Sequence, residues 1–322
     1  MHYGLLEDSP PGTWVPDVLE GFSRRTIPLG QDAEGTVSAT LVRHDAIDGK
    51  PILYIHGWSD YFYNTDLARA AAARGYTLYA LDLRKYGRSL RPKQSPGYIE
   101  DLAQYDDEIG AALALIKLAH PGQLPSVIAH STGGLIAALW AHHHPGQLGT
   151  LVLNAPWLEL QGNAWLRGFA NAVADPLWRS APERKLFLPK FDFFYRTISA
   201  HEHGEWLLHP LWRPRFSFDI QGGWLAAILE GHAQVREGLD IDSPVLVLTS
   251  TKSYFATKYS SKMQTADTVL DVRGTVKRAV RLGNRVMIHK IPDAIHDVYA
   301  SPKPIRTQAF DATFAWLDYF ND

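Results

Sequence analysis

The run Val127-Ile128-Ala129-His130-Ser131-Thr132-Gly133-Gly134 places a serine where a short apolar strand meets a turn of small residues and an Ala/Leu-rich helix begins. A hydroxyl presented on such a turn stands clear of the sheet and can attack a carbonyl. The pattern is small-x-Ser-x-Gly. It tolerates little bulk at its ends, because neighbouring backbone approaches closely while the serine is held at strained dihedrals. Ala129 fills the first small position, and its one methyl is a bulk such a turn can absorb.

A serine hydroxyl is a poor nucleophile until a base takes its proton, and that base needs a carboxylate to hold its tautomer and stabilise its charge. His296, in Ile291-Pro292-Asp293-Ala294-Ile295-His296-Asp297, follows the last predicted strand by a few residues and is the expected base. The segment after the penultimate strand, Ser250-Thr251-Lys252-Ser253, has no carboxylate, so the acid is sought further on. Asp267 is preferred, Asp271 is the alternative, and Glu159, after an earlier strand, stands third. Asp271 equally suits the N-terminus of a helix. A tetrahedral oxyanion would need backbone donors, and these are expected at Thr132, just after the nucleophile, and at Trp58, after the turn His56-Gly57. Each such donor is typically worth about 3 kcal/mol of transition-state stabilisation.

Strand patterns at residues 36–43, 51–55, 77–83, 126–129, 149–153, 244–249 and 285–291 must position these groups. Between them lie helical patterns at 66–74, 99–120, 135–144, 272–282 and 304–319. That rhythm predicts an α/β fold with a mostly parallel sheet flanked by helices. It breaks between residues 157 and 240, which are rich in Trp, Phe, Tyr, Pro and His and show no clean strand. The expected organisation is a core of residues 1–156 and 241–322 around an insertion of 157–240.

The 322 residues carry a formal net charge of -2 and no cysteine. A near-neutral balance leaves no electrostatic footprint for nucleic acid. The absence of cysteine excludes disulfides, thiolate metal sites and a cysteine nucleophile. The N-terminal residues lack a basic segment followed by an apolar stretch, and no run approaches the roughly 18 apolar residues of a membrane span. The expectation is a soluble, cytoplasmic protein with no integral membrane segment. His142-His143-His144 and His201-Glu202-His203 have no further ligand at recognisable spacing, so no metal and no cofactor is expected. Lys252, Lys258 and Lys262 are read as a solvated face, and nothing in the sequence sets an oligomeric state.

With Ser131, Asp267, His296 and His56-Gly57-Trp58 in place, the sequence resembles the α/β-hydrolase superfamily, in the group related to monoacylglycerol lipases, lysophospholipases and serine aminopeptidases. Asp82-Leu83-Arg84-Lys85-Tyr86-Gly87-Arg88-Ser89 looks like that group's Asp-x-Arg-Gly-x-Gly-x-Ser turn, with Lys85 where glycine is usual. Ala266-Asp267-Thr268-Val269-Leu270-Asp271 looks like its acid loop, preceded here by an added stretch from Ser250 to Thr265. The resemblance implies a helical cap between strands six and seven, formed by residues 157–240. Trp165, Phe169, Trp178, Phe193, Phe194, Tyr195, Trp206, Trp212 and Trp224 of that cap would line an apolar acyl pocket. It also implies a serine hydrolase for carboxylic esters, with monoacylglycerol or lysophospholipid substrates foremost. The alternatives are an aminopeptidase using Glu202, Glu205 or Asp219 to hold an amine, and a hydrolase fold that only binds a small molecule.

Overall fold

A computed structural model describes residues 4–45, 48–160 and 181–321. Its sheet has nine strands: β1 (Val15–Pro16), β2 (Phe22–Asp32), β3 (Gly35–His44), β4 (Lys50–Ile55), β5 (Tyr76–Asp82), β6 (Ser126–His130), β7 (Leu151–Asn154), β8 (Val245–Ser250) and β9 (Val286–Ile291). They lie in the order β1-β2-β3-β5-β4-β6-β7-β8-β9, antiparallel as far as the β3/β5 pair and parallel from there on. The seven strands expected from the sequence fall within two residues of these bounds. β1 and β2 were not anticipated. β1 is two residues long, and β2 is broken by an irregularity between Pro28 and Gln31 that disrupts its alternation.

Strand residues alternate between the faces of the sheet, so parity along each strand sorts the core into layers. Leu53, Ile55, Tyr79, Leu81, Val127 and Leu153 face one layer. It is covered by α2 (Asp106–Ala119) and α3 (Thr132–His143), with α5 (Gly222–Glu237) packed on α3. Ile52, Tyr54, Leu78, Ile128, Val152 and Leu246 face the other layer, under α1 (Thr65–Ala72) and α7 (Lys303–Asn321). The helix expected at 99–120 is interrupted. Asp101 accepts from the Ala103 N–H and caps a short 3-10 turn at Leu102–Tyr105, and α2 starts only after it.

The turn after β5 is a buried charge hub. Arg88 is held by both carboxylate oxygens of Asp17 at 2.7 Å and by Asp82 at 2.8 Å. Asp82 also accepts from the backbone N–H of Phe62 and of Arg88 at 2.9 Å, so one carboxylate ties the segment after β4 to the segment after β5. Lys85, standing where glycine is usual, has φ +63. Its ammonium bonds Asp32 and Glu34 at 2.6 Å each, contacts that oppose the strain of a side chain in the left-handed region.

Residues 155–244 run between β7 and β8, which are the sixth and seventh strands when β1 is left out of the count. The described part of this excursion contains α4 (Phe193–Ile198) and α5, and isolated bridges in place of strands. Its first residues are tied to the core. The Trp157 N–H donates to the Ser131 carbonyl at 3.0 Å, and His232 on α5 donates Nε2–H to the Trp157 carbonyl at 2.9 Å. Burial pushes the His232 imidazole down from its ordinary 6.5 to about 4, against the opposing pull of that carbonyl. The unfolded chain therefore binds a proton at His232 near pH 6.5 that the folded chain refuses until about pH 4, and stability falls as pH drops through that window. Urea midpoints measured across it are expected to decline in the wild type and to decline less in His232→Gln, which keeps the donor to Trp157 but cannot titrate.

Candidate active site

The junction of β6 and α3 bends because its residues leave no alternative. Ser131 adopts φ 51 and ψ -115 as the N-cap of α3, a sparsely populated conformation that costs about 1–3 kcal/mol and persists only where the surroundings fix it. A Cβ on Gly133 would lie 2.1 Å from the His56 carbonyl oxygen, and one on Gly57 would lie 3.0 Å from the Ser131 Cβ. Ala129, one strand position before His130, is fully buried between Ile55 and Leu153, so its methyl is accommodated in the sheet interior.

Ser131, Asp267 and His296 come together. His296 Nδ1 lies 2.9 Å from Asp267 Oδ2, and its Nε2 lies 3.0 Å from Ser131 Oγ. A carboxylate only accepts, so Nδ1 carries the proton and Nε2 is free to accept from the serine hydroxyl. All three residues are buried. The other oxygen of Asp267 accepts from the N–H groups of Val269 and Leu270 at 2.8 and 2.7 Å, which fixes the carboxylate. The added stretch after β8 does not displace this acid because it is a closed loop. The Asp267 N–H donates to the Lys252 carbonyl at 3.0 Å, the Tyr254 N–H donates to the Asp267 carbonyl at 2.8 Å, and the chain returns to where β8 ends. Asp271 instead caps α6 (Val272–Ala279) by accepting from the Arg273 N–H. Glu159 pairs with Arg278 at 2.5 Å.

Thr132 opens α3, so its N–H has no partner within the helix. Trp58 follows the turn at Gly57, and both Thr132 and Trp58 line the cavity that holds Ser131 and His296. His56 braces that turn. The Leu83 N–H donates to its Nε2, which leaves Nδ1–H to donate to the Gly57 carbonyl at 2.8 Å.

Several site-building residues had not been singled out from the sequence. Asp297 accepts from the Asn154 side-chain amide at 2.7 Å, and Asn154 in turn accepts from the Val298 N–H at 3.0 Å, so the His296 loop is latched to the end of β7. The position of Asp297 beside the expected base was the available signal. His130 packs its ring 5.0 Å from that of His296 and donates Nδ1–H to the Asn154 carbonyl; burial lowers its pKa and keeps it neutral. Asp60 and Arg213 form a buried ion pair beside the cavity.

The cavity encloses about 200 Å³. Of the aromatics expected to line it, Phe194 and Trp224 do so. Trp206 and Trp212 belong to a separate cluster with Tyr61, Tyr63 and Ile198, where the Trp206 indole donates to the Ala300 carbonyl and Trp212 stacks on His209 at 3.9 Å. Tyr195 packs at the edge of that cluster, and Phe193 stacks on Phe191. Trp165, Phe169 and Trp178 lie outside the described residues. The wall includes Trp58, Trp157, Phe216, Phe218 and Phe255, which the sequence had not assigned to it. His142 accepts from the Asp240 N–H, His144 stacks on Trp140, and His203 stacks on Tyr259. Lys252 pairs with Asp293, and all of Lys252, Lys258 and Lys262 are exposed.

Such a relay can withdraw the serine proton as Oγ attacks and return it to a leaving group. Asp267→Asn is expected to slow the reaction of Ser131 with a fluorophosphonate by roughly 10⁴-fold, by disturbing the His296 tautomer. Asp271→Ala is expected to leave labelling intact and to cost about 1 kcal/mol of stability through loss of the cap. Labelling kinetics and denaturant titrations on both variants check this division of roles.

The family model described as "Serine aminopeptidase, S33" matches residues 49–302. Epoxide hydrolase 1 of Caenorhabditis elegans is 29% identical over 301 residues, an alignment covering 87% of this chain and 67% of that protein. Monoacylglycerol lipase of Mycolicibacterium smegmatis is 26% identical over 132 residues, covering 41% of this chain and 45% of that one. Among solved structures, a soluble variant of monoglyceride lipase from Saccharomyces cerevisiae in complex with a substrate analog matches with a TM-score of 0.65 at 14% identity, covering 97% of this chain and 100% of the other, which is a likeness of fold. The family match spans most of the chain and agrees with the sheet order, so the protein is an α/β hydrolase of the family described as serine aminopeptidase, S33.

Proposed function

We propose that this protein is a serine hydrolase of carboxylic esters, acting through an acyl-enzyme on monoacylglycerol- or lysophospholipid-like substrates. Residues 157–240 act as a cap over a core of 1–156 and 241–322. The observation that carries the proposal is the Ser131–His296–Asp267 relay opening into a cavity with largely apolar walls. Ser131 Oγ attacks the acyl carbonyl while His296 Nε2 takes its proton. The oxyanion is held by the N–H groups of Thr132 and Trp58. His296 then protonates the departing alkoxide, and water, activated by the same imidazole, releases the acid.

Charge separates this reading from cleavage of amino-acyl amides. No Asp or Glu is among the described residues lining the cavity, so a substrate ammonium would meet no counter-charge there. The carboxylates considered for that purpose are engaged elsewhere: Glu202 with Arg215 at 2.7 Å, Asp219 with Lys190 and Lys185 at 2.5 and 2.9 Å, and Glu205 with Arg306. Epoxide opening is disfavoured by the nucleophile itself. An alkoxide that opens an epoxide leaves an ether, which the same machinery cannot hydrolyse, whereas a nucleophile that is to turn over must leave an ester. A protein that merely binds ligand has no use for an aligned proton relay.

Fluorophosphonate labelling of the wild type beside Ser131→Ala and His296→Ala, followed by a panel of glyceryl esters, amino-acyl amides and epoxides, tests the proposal. Labelling and ester hydrolysis are expected in the wild type, with a loss of about 10³-fold or more in either variant. Turnover of amides or epoxides without turnover of esters would refute it.

A further inference from the structure

The polar groups of the cavity are not spread evenly around Ser131. Trp58 packs against a tilted Trp224 with ring centroids 4.0 Å apart, Trp157 lies 6.0 Å from the same indole, and Phe218 packs edge-on to Trp58. This wall continues the side on which the Trp58 N–H would receive the carbonyl oxygen, and it suits an acyl chain. The opposite side is different. Phe194 meets the His296 ring edge-on at 5.0 Å, and the Arg213 guanidinium lies 5.0 Å over the Phe194 ring. Since His296 must deliver its proton to the leaving oxygen, the side beyond His296 receives the alcohol half of the ester.

Arg213 is buried in its entirety apart from 7% of its side-chain surface, yet it contributes to the cavity wall. Its only ion pair among the described residues is with Asp60, through Nη1. Burial disfavours the guanidinium charge, but the neighbouring Asp60 holds its pKa above the ordinary arginine value, so the group stays cationic. Asp60 lies behind Arg213 and does not line the cavity. Its second oxygen, Oδ2, is buried without a hydrogen-bond partner. A guanidinium carries more N–H donors than one carboxylate oxygen can take, and it matches carboxylate and phosphate oxygens in geometry. Lys190, the other lining cation, is half-exposed and tied to Asp219.

We propose that Arg213 selects esters whose alcohol half carries an anionic oxygen group, a phosphate or a carboxylate, and binds that group on the guanidinium edge that Asp60 leaves open. The inference rests on the ester-hydrolase reading and names the substrate class for it. An anion entering on this side meets a fixed cation and no lining carboxylate, in a cavity where exclusion of water strengthens a charge-assisted hydrogen bond. A neutral glycerol in the same place leaves the cation with less compensation.

The test compares kcat/KM for three esters of one acyl chain: a monoacylglycerol, the corresponding acylglycerol 3-phosphate, and an acyl glycerate bearing a carboxylate. The full chain is expected to prefer at least one of the anionic esters to the neutral one, and the better of the two identifies the anion. Because Arg213→Gln alone would strand Asp60 unpaired in the interior, the informative variant is Asp60→Asn/Arg213→Gln, which replaces the ion pair by two neutral amides. Its anionic-to-neutral ratio is expected to fall by about tenfold or more, chiefly through KM. A ratio that survives the double substitution, or equal losses on all three esters, assigns Arg213 a purely structural role and overturns the inference. A wild type that reacts with fluorophosphonate and prefers the neutral ester overturns it while leaving the serine-hydrolase reading intact. A wild type that neither labels nor cleaves any ester removes that reading and this inference with it.

Discussion

The close approach of the Gly133 backbone to the carbonyl of His56 is the constraint on which the site depends. Helix α3 can start where it does only if its first turn slides under the end of β4, and only a residue without a Cβ fits there. That approach forces Ser131 into positive φ, and the same crowding brings the turn at Gly57, with the Trp58 N–H beyond it, to the side of the serine. The bend at Ser131 and the place of Trp58 and Thr132 beside it are therefore tied to one packing contact. The strain at Ser131 is offset by a strand buried along its whole length and by the Trp157 N–H bonded to the Ser131 carbonyl.

Parallel pairing does the remaining assembly. β4, β6, β7, β8 and β9 are consecutive neighbours, all pointing the same way, so the segments leaving their C-terminal ends share one edge of the sheet. Trp58, Ser131, Asn154, Asp267 and His296 each follow or end one of those strands. Residues far apart in sequence meet without any long-range device of their own. What local chemistry adds is rigidity: the Asp297–Asn154 latch fixes the histidine loop, and two N–H groups hold the Asp267 carboxylate so that only one oxygen is left for His296.

The legibility of the sequence follows the same physics. Buried parallel strands read as apolar runs and the antiparallel β3 as an alternating one, which is why the seven strands from β3 to β9 were evident and why β1, with two residues, and the irregular β2 were not. Ser131 and His296 were legible because the elbow has a local signature and the base has a fixed place after the last strand. Asp267 was harder. Its proximity to β8 depends on the loop of residues 251–266 closing on itself through backbone bonds, which leave no mark on side-chain identity. The aromatic residues of the excursion could be counted but not oriented. Trp206 and Trp224 look alike in composition, yet one hydrogen-bonds to Ala300 under Tyr63 while the other faces the cavity. Arg213 was invisible for a related reason, since its meaning comes from Asp60, a partner on a different segment.

Charge pairing in the excursion also bears on how a family description transfers to a member. A site that holds a substrate amine must present an unpaired carboxylate at the right distance from the nucleophile, and the desolvation of that carboxylate must be compensated when no substrate is bound. In this chain the excursion supplies Arg215 to Glu202 and Lys190 to Asp219, α7 supplies Arg306 to Glu205, and each pairing removes a carboxylate that could have served an amine. Among the described residues, the ionisable ones that line the cavity from the same segment are the cations Lys190 and Arg213, and the carboxylate partner of Arg213 does not line it. The core geometry is indifferent to this choice, because a Ser–His–Asp relay of this kind can serve esters and amides alike. The charge that a substrate meets in the cavity thus depends on which member of each ion pair faces it, and for the Asp60–Arg213 pair the member that faces it is positive.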